Sequence, residues 1–271
     1  MADYHLSVKT VSRSDGRSAT AAAAYRSGVQ IVDERTGEVH DYRRKSGVVS
    51  ATLFLPEYAP EWFSASAVLW NAAEASETRK NSTVAREFEV ALPDELSPAQ
   101  RQELAHAFAT ELVKHHGFAA DVAIHAPGKE GDQRNHHAHI LCTTRRIGLN
   151  GFGDKTRELD DRASGAAEVT RWREVWADLT NSALERAGHS ARVDHRTLKA
   201  QGIDREPTIH LGPAATAIER RGQDSQKKLN HQERQAERHA KAKAKREAEG
   251  KAERQSAAAA APAPVPVPAV P

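Results

Sequence analysis

Apolar and polar positions change period several times along the chain, and each change marks an element. Tyr4-His5-Leu6-Ser7-Val8 alternates residue by residue, as a half-buried strand does. Val48 to Leu55 and Val84 to Leu92 also read as strands. After a Ser/Arg/Gly loop, an alanine-rich helix runs from about Ser18 to Arg26, with Ser18 as its N-cap. Between Ile31 and Val39, the turn residues Thr36-Gly37 separate two short β-compatible runs and predict a small hairpin. Beyond Pro60, the residues Phe63, Ala67, Trp70 and Ala73 recur at three and four positions, so a helix turns that face to the core. Ser97-Pro98-Ala99-Gln100 has the form of a capping box with proline at the first helical position. The helix it opens buries Leu104, Phe108 and Leu112 and stops at Gly117.

Two further β-like runs, Asp121 to His125 and His137 to Cys142, flank a glycine-rich polar loop and are most economically an antiparallel pair. A long helix over about Glu168 to Ala187 gathers Trp172, Trp176, Leu179 and Ala183 on one face, ends before Gly188, and is expected to cover the sheet. From Gln223 to Gln255 scarcely any large apolar residue occurs, and from Ser256 onward the chain is Ala, Pro and Val. Strands and helices alternate irregularly and include hairpins. The fold class read from this order is α+β, a central antiparallel β-sheet with flanking helices. Residues 1–222 form that domain, and 223–271 form a charged, helical or disordered C-terminal tail, non-globular in either case.

Composition narrows the setting. A single cysteine, Cys142, excludes an internal disulfide framework and any multi-cysteine zinc module. No run approaches the roughly 18 apolar residues of a membrane span, and the N-terminus lacks the layout of a signal peptide. The expectation is a soluble, cytoplasmic protein with no membrane insertion. Lys and Arg number 39 against 37 Asp and Glu, a net +2. From Gly222 onward there are about ten basic and six acidic residues, which leaves the rest of the chain near −2. Nucleic-acid binding by the main domain would therefore need local patches and not overall charge.

Chemistry concentrates in the histidines. His125, His137 and His139 form an H-x11-H-x-H pattern, each within or beside a predicted strand. Residues two apart in a strand share a face, so His137 and His139 project together, while Ala138 and Ile140 point the other way. If the strand ending at His125 pairs with theirs, three imidazoles converge and leave coordination positions open, as catalytic metal sites do. A chain with 14 histidines also yields H-x-H pairs by chance, and strand pairing is what separates the two readings. His136 has the wrong parity and is left out. His115 and His116 end a helix, where a cation suits the dipole, and are read as structural. Glu87 and Glu89 share one face of their strand, to orient a ligand histidine, to accept a proton, or simply as a solvated face.

Tyr25, one of four tyrosines, stands alone among small residues, Ala19-Thr20-Ala21-Ala22-Ala23-Ala24 before it and Arg26 after. A tyrosine of ordinary pKa near 10 is almost wholly phenol at neutral pH, so a nucleophilic role needs help from a metal or base. A lone helical tyrosine is more often a packing residue.

Several stretches together resemble the MobA/MobL mobilisation proteins, MobQ-type plasmid relaxases of the His-hydrophobe-His (HUH) endonuclease superfamily. They are Tyr4-His5-Leu6, Ser12-Arg13-Ser14 through Ser18 to Tyr25, Glu87-Phe88-Glu89-Val90-Ala91-Leu92-Pro93, Ala123-Ile124-His125-Ala126 and Asn135-His136-His137-Ala138-His139-Ile140-Leu141. Lys155 to Asp160 and the stretch from Val193 to Gly222 extend the likeness, which covers about residues 3 to 222. The resemblance implies a relaxase-like palm with Tyr25 as nucleophile, a divalent metal ion on His125, His137 and His139, and an acting carboxylate at Glu87 or Glu89. The ion would be Mg2+ or Mn2+ as in related enzymes, with Zn2+ also suited to imidazole ligands. The implied reaction is metal-dependent nicking of single-stranded DNA at a plasmid transfer origin, with a 5′-phosphotyrosine intermediate. Accessory mobilisation proteins and a conjugative coupling protein are the implied partners.

Arg13, Arg17 and Arg26 flank the tyrosine and are candidates to hold DNA phosphates. The competing functions are a rolling-circle replication initiator of the same superfamily, a non-catalytic metal-stabilised DNA-binding protein, and a metal-dependent hydrolase of small molecules.

Overall fold

Five strands make the central sheet in the order β1-β5-β7-β6-β4, every neighbour antiparallel. The computed structural model describes residues 3–128, 132–203, 209 and 212–259. In chain order the elements are β1 (Leu6–Ser12), α1 (Ala19–Ser27), a hairpin of β2 (Gln30–Val32) and β3 (Val39–Asp41), β4 (Val48–Phe54), α2 (Ser66–Ala75) and β5 (Thr83–Leu92). Then come α3 (Pro98–His116), β6 (Ala120–His125), β7 (His136–Thr143), a second hairpin of β8 (Arg145–Gly148) and β9 (Gly151–Lys155), α4 (Arg162–Arg186), α5 (Pro213–Arg220) and α6 (Gln226–Ala259). Residues 1–195 form one unit and 196–271 another. Among the described residues no helix is long and apolar enough to cross a membrane.

Strand parity sorts the side chains into two cores. On one face Leu6, Phe88, Val90, Val122, Ile124, Ala138 and Ile140 pack under α3 and α4. There Phe108 meets Trp172 and Trp176 edge-on, and both tryptophans are fully buried. Truncating either to alanine would cost about 3–5 kcal/mol. On the other face Val11, Ala85 and Leu141 lie under α1 and α2, which contribute Ala19, Ala23, Ala24, Leu69, Trp70 and Ala73. Ala67, expected on the buried side, is exposed, and Leu69 packs in its place. The preceding Glu61–Ser64 turn is a 3-10 helix, which shifts the phase of the apolar stripe.

The predicted caps fold as their chemistry requires. Ser97 Oγ accepts from the Gln100 amide while Gln100 Oε1 accepts from the Ser97 amide, a reciprocal cap worth about 1 kcal/mol. Ser18 Oγ accepts from the Ala21 amide and starts α1. That helix ends at Gly28, whose φ of +65° is left-handed; a Cβ there would stand 3.2 Å from Val48 Cγ2. Glycine is the residue that can close α1 so near β4. The tail read from Gln223 is helical as α6, and the stretch from 260 onward lies outside the described residues.

Candidate metal centre and tyrosine helix

β7 is the middle strand, and its neighbours bring the charged residues to it. His125 on β6 faces His137 across the ladder, and Glu89 on β5 faces His139. All of these side chains, with Glu87, leave the sheet on the α1 side. The three ring centroids stand 5.4 Å (His125–His137), 4.7 Å (His125–His139) and 5.1 Å (His137–His139) apart. One ligand nitrogen from each lies within 4.8 Å of the others. His136 points to the opposite face, 3.4 Å from Asp94.

Each imidazole is already held at one nitrogen. His125 Nε2 donates to the Arg26 carbonyl at 2.7 Å, and His137 Nδ1 donates to the Asn135 carbonyl at 3.0 Å. His139 Nδ1 donates to Glu87 Oε1 at 2.6 Å. A carbonyl can only accept, so the facing nitrogens of His125 and His137 carry the protons and the other ring nitrogens keep a lone pair. That is the arrangement metal-bound histidines adopt. Burial pushes His125 down to about 4 and lowers His137, so both rings are neutral and competent as ligands at neutral pH. The donor set therefore fits a divalent cation at His125, His137 and His139.

The two glutamates separate. Glu87 is 3% exposed, and its carboxylate bridges His139 and the Arg26 guanidinium, which donates through Nε at 2.6 Å and a terminal nitrogen at 2.7 Å. Burial alone would raise this carboxyl, but His139 and Arg26 hold it well below the usual carboxylate range. The solvated-face reading does not hold for Glu87. Glu89 is half-buried and pairs with Lys9 on the edge strand.

α1 is fastened at both ends. Arg13 places its guanidinium on the Glu74 carboxylate and on the carbonyls of Glu74, Glu77 and Arg79. Glu74, buried on α2, accepts the Ala19 amide at 2.6 Å, a carboxylate against the positive end of α1. The expected phosphate contacts thus divide. Arg13 and Arg26 are committed to buried carboxylates, whereas Arg17 is exposed. A buried carboxylate needs a nearby cation more than solvent-exposed DNA does, which is why these arginines turn inward.

Tyr25 itself is 49% exposed on α1. Its ring meets Tyr42 edge-on at 5.2 Å, and Lys45 Nζ lies 3.6 Å from its centroid while donating to the Tyr25 carbonyl at 2.8 Å. Lys45 escaped the sequence reading. The basic run Arg43-Arg44-Lys45 after the hairpin was its only signal. His116 also differs from expectation: it is wholly buried, its Nε2 accepts from Trp172 Nε1, and burial pushes it down to about 4. It is a neutral core residue and not a cation at a helix end.

A tri-histidine cluster on an antiparallel sheet, with a tyrosine-bearing helix hydrogen-bonded to it, defines an α+β protein with a candidate metal site. The chain belongs to the MobA/MobL family, whose pattern matches residues 17–221. It is 44% identical to mobilization protein MobL of Acidithiobacillus ferridurans, over 87% of this chain and 68% of that one. A probable mobilization protein MobA of Bifidobacterium longum is 37% identical over 82% of this chain, which spans 45% of its length. A solved structure described as the molecular basis of vancomycin resistance transfer in Staphylococcus aureus superposes with a TM-score of 0.65 at 35% identity. The match covers 72% of this chain and all of that one.

Proposed function

We propose that this chain is a relaxase, a metal-dependent transesterase that nicks single-stranded DNA at a transfer origin and holds the cut end on Tyr25. The observation that carries the reading is the 2.7 Å hydrogen bond from His125 to the carbonyl of Arg26, the residue after Tyr25, which fixes the tyrosine helix against three convergent imidazoles. Membership of a family whose relatives are named for mobilization supports it.

The phenol oxygen of Tyr25 attacks phosphorus in line, the P–O3′ bond breaks, the phenol proton is lost, and the departing O3′ takes up a proton. The products are a free 3′-hydroxyl and a 5′-phosphotyrosine. Because one phosphodiester replaces another, the bond is conserved and the strand can be resealed by the reverse reaction. A cation on His125, His137 and His139 would supply positive charge to the phosphate oxygens as charge builds there. Imidazole ligands favour Mn2+ or Zn2+ over Mg2+. Glu87 keeps His139 oriented with its ligating nitrogen free, and Lys45 holds the Tyr25 ring and its backbone.

The test is incubation of the protein with Mn2+ and a single strand spanning its transfer origin, followed by denaturing electrophoresis. Wild type forms a protein–DNA band that survives denaturation, and Tyr25→Phe forms none. Turnover without any covalent band would instead indicate a hydrolase.

A further inference from the structure

Beside Tyr25 a groove of about 970 Å3 runs along α1, and none of His125, His137 and His139 lines it. Its floor is the helix face that carries Ala21, Ala22 and Tyr25, and its rims carry Arg17, Arg35 and Lys80. Arg17 and Lys80 are exposed, and among the described residues neither side chain engages an acid, whereas Arg35 lies 3.5 Å from the Glu74 carboxylate. Of the acids on the wall, Glu77 is held by Arg145 at 2.8 Å and Lys155 at 2.7 Å, and Asp33 by the Thr20 hydroxyl and the turn amides of Arg35 and Thr36, while Glu38 is exposed and lies 3.8 Å from His40. A trough with cationic rims and a floor of methyl groups suits a flexible polyanion whose backbone must pass close to the helix.

We infer that this groove is the channel for one flank of the cleaved strand, leading single-stranded nucleic acid to or from Tyr25 by phosphate contacts with Arg17 and Lys80. The inference rests on Tyr25 being the nucleophile. It accounts for the one alanine that packing leaves unexplained: Ala19, Ala23 and Ala24 pack inward and Ala22 packs against that core, whereas Ala21 lines the groove half-buried. A larger side chain at Ala21 would fill the channel.

The experiment measures binding of fluorescent origin oligonucleotides, full length or truncated on either side of the nick, across a salt series. Wild type, an Arg17→Ala/Lys80→Ala double variant and Ala21→Trp are compared, with covalent-adduct formation at saturating oligonucleotide as the second readout. Losing two phosphate contacts should lower the log–log salt slope by about 1.4 and weaken full-length binding. The variants should match wild type on oligonucleotides lacking one particular flank. Unchanged affinity and slope in the double variant would overturn the inference, as would an equal loss on both truncated series. Arg17 and Lys80 are exposed, so the double variant decides the matter even if Ala21→Trp fails to fold. Flank-specific loss of binding with no adduct from wild type would leave the channel standing and sink the nucleophile reading. An adduct without flank dependence would do the reverse.

Discussion

The carbonyl of Arg26 accepts a hydrogen bond from His125 at 2.7 Å, while the guanidinium of the same residue grips Glu87, which in turn orients His139. One residue next to the tyrosine therefore sets the position of two of the three imidazoles. Replacing Arg26 by glutamine removes the charge that keeps Glu87 ionised in a buried setting and should cost about 3–5 kcal/mol of stability. Mn2+ affinity, read by calorimetry, should fall with it. An Arg26→Gln protein with wild-type melting and wild-type Mn2+ binding would show that the strut has no such role.

The glutamates should differ in the same assay. Glu87→Gln weakens the grip on His139 and is expected to reduce metal affinity by roughly 10–100-fold, the usual effect of losing a partner that orients a ligand. Glu89→Gln breaks the pair with Lys9 but leaves the Glu87–His139 hydrogen bond in place, and should leave affinity within about twofold. Equal losses from the two would contradict the assignment of Glu87 as the orienting carboxylate.

Lys45 stands over the Tyr25 ring, an attraction worth about 0.5–2 kcal/mol depending on solvent exposure. Lys45→Met should slow adduct formation up to about tenfold under single-turnover conditions while leaving Mn2+ binding intact, and Lys45→Arg should recover part of the rate. An unaltered rate in Lys45→Met would remove this residue from the account.

Acid should destabilise the fold through His116. In the folded state burial pushes it down to about 4, whereas unfolded it titrates near 6.5. Between those values the unfolded chain binds the extra proton, so stability is present above pH 6.5 and lost as pH falls toward 4, by about 3 kcal/mol. Urea denaturation in chelator from pH 7.5 to 4.5 should show this decline, with a shallower slope in His116→Leu. A slope identical to wild type would point to other groups, His125 among them.

The sequence shows the caps, the sheet faces and the histidine triad because each depends on short-range rules: Ser97 to Gln100 within one turn, His137 to His139 within one strand. What it hides depends on which strand lies beside which. The order β1-β5-β7-β6-β4 places Glu87 by His139 and closes both faces of the sheet, and no local period encodes that order. For the same reason Arg13 looks free in the sequence but lies on Glu74, a residue of α2. Lys45 is hidden too, since its meeting with Tyr25 requires the β2–β3 hairpin to fold the chain back. The β8–β9 hairpin is different: Asn150-Gly151 is as local a turn signal as Thr36-Gly37.

The central claim is that Tyr25 becomes covalently joined to DNA, and its most direct test is peptide mapping of the adduct. Trypsin cuts after Arg17 and after Arg26, so the peptide 18–26 carries Tyr25 as its only tyrosine. After reaction with Mn2+ and the origin strand, nuclease trimming and digestion, mass spectrometry should find a 5′-nucleotide on Tyr25 in that peptide. A nucleotide on Tyr42, Tyr58 or any other residue, with peptide 18–26 unmodified, would contradict the account.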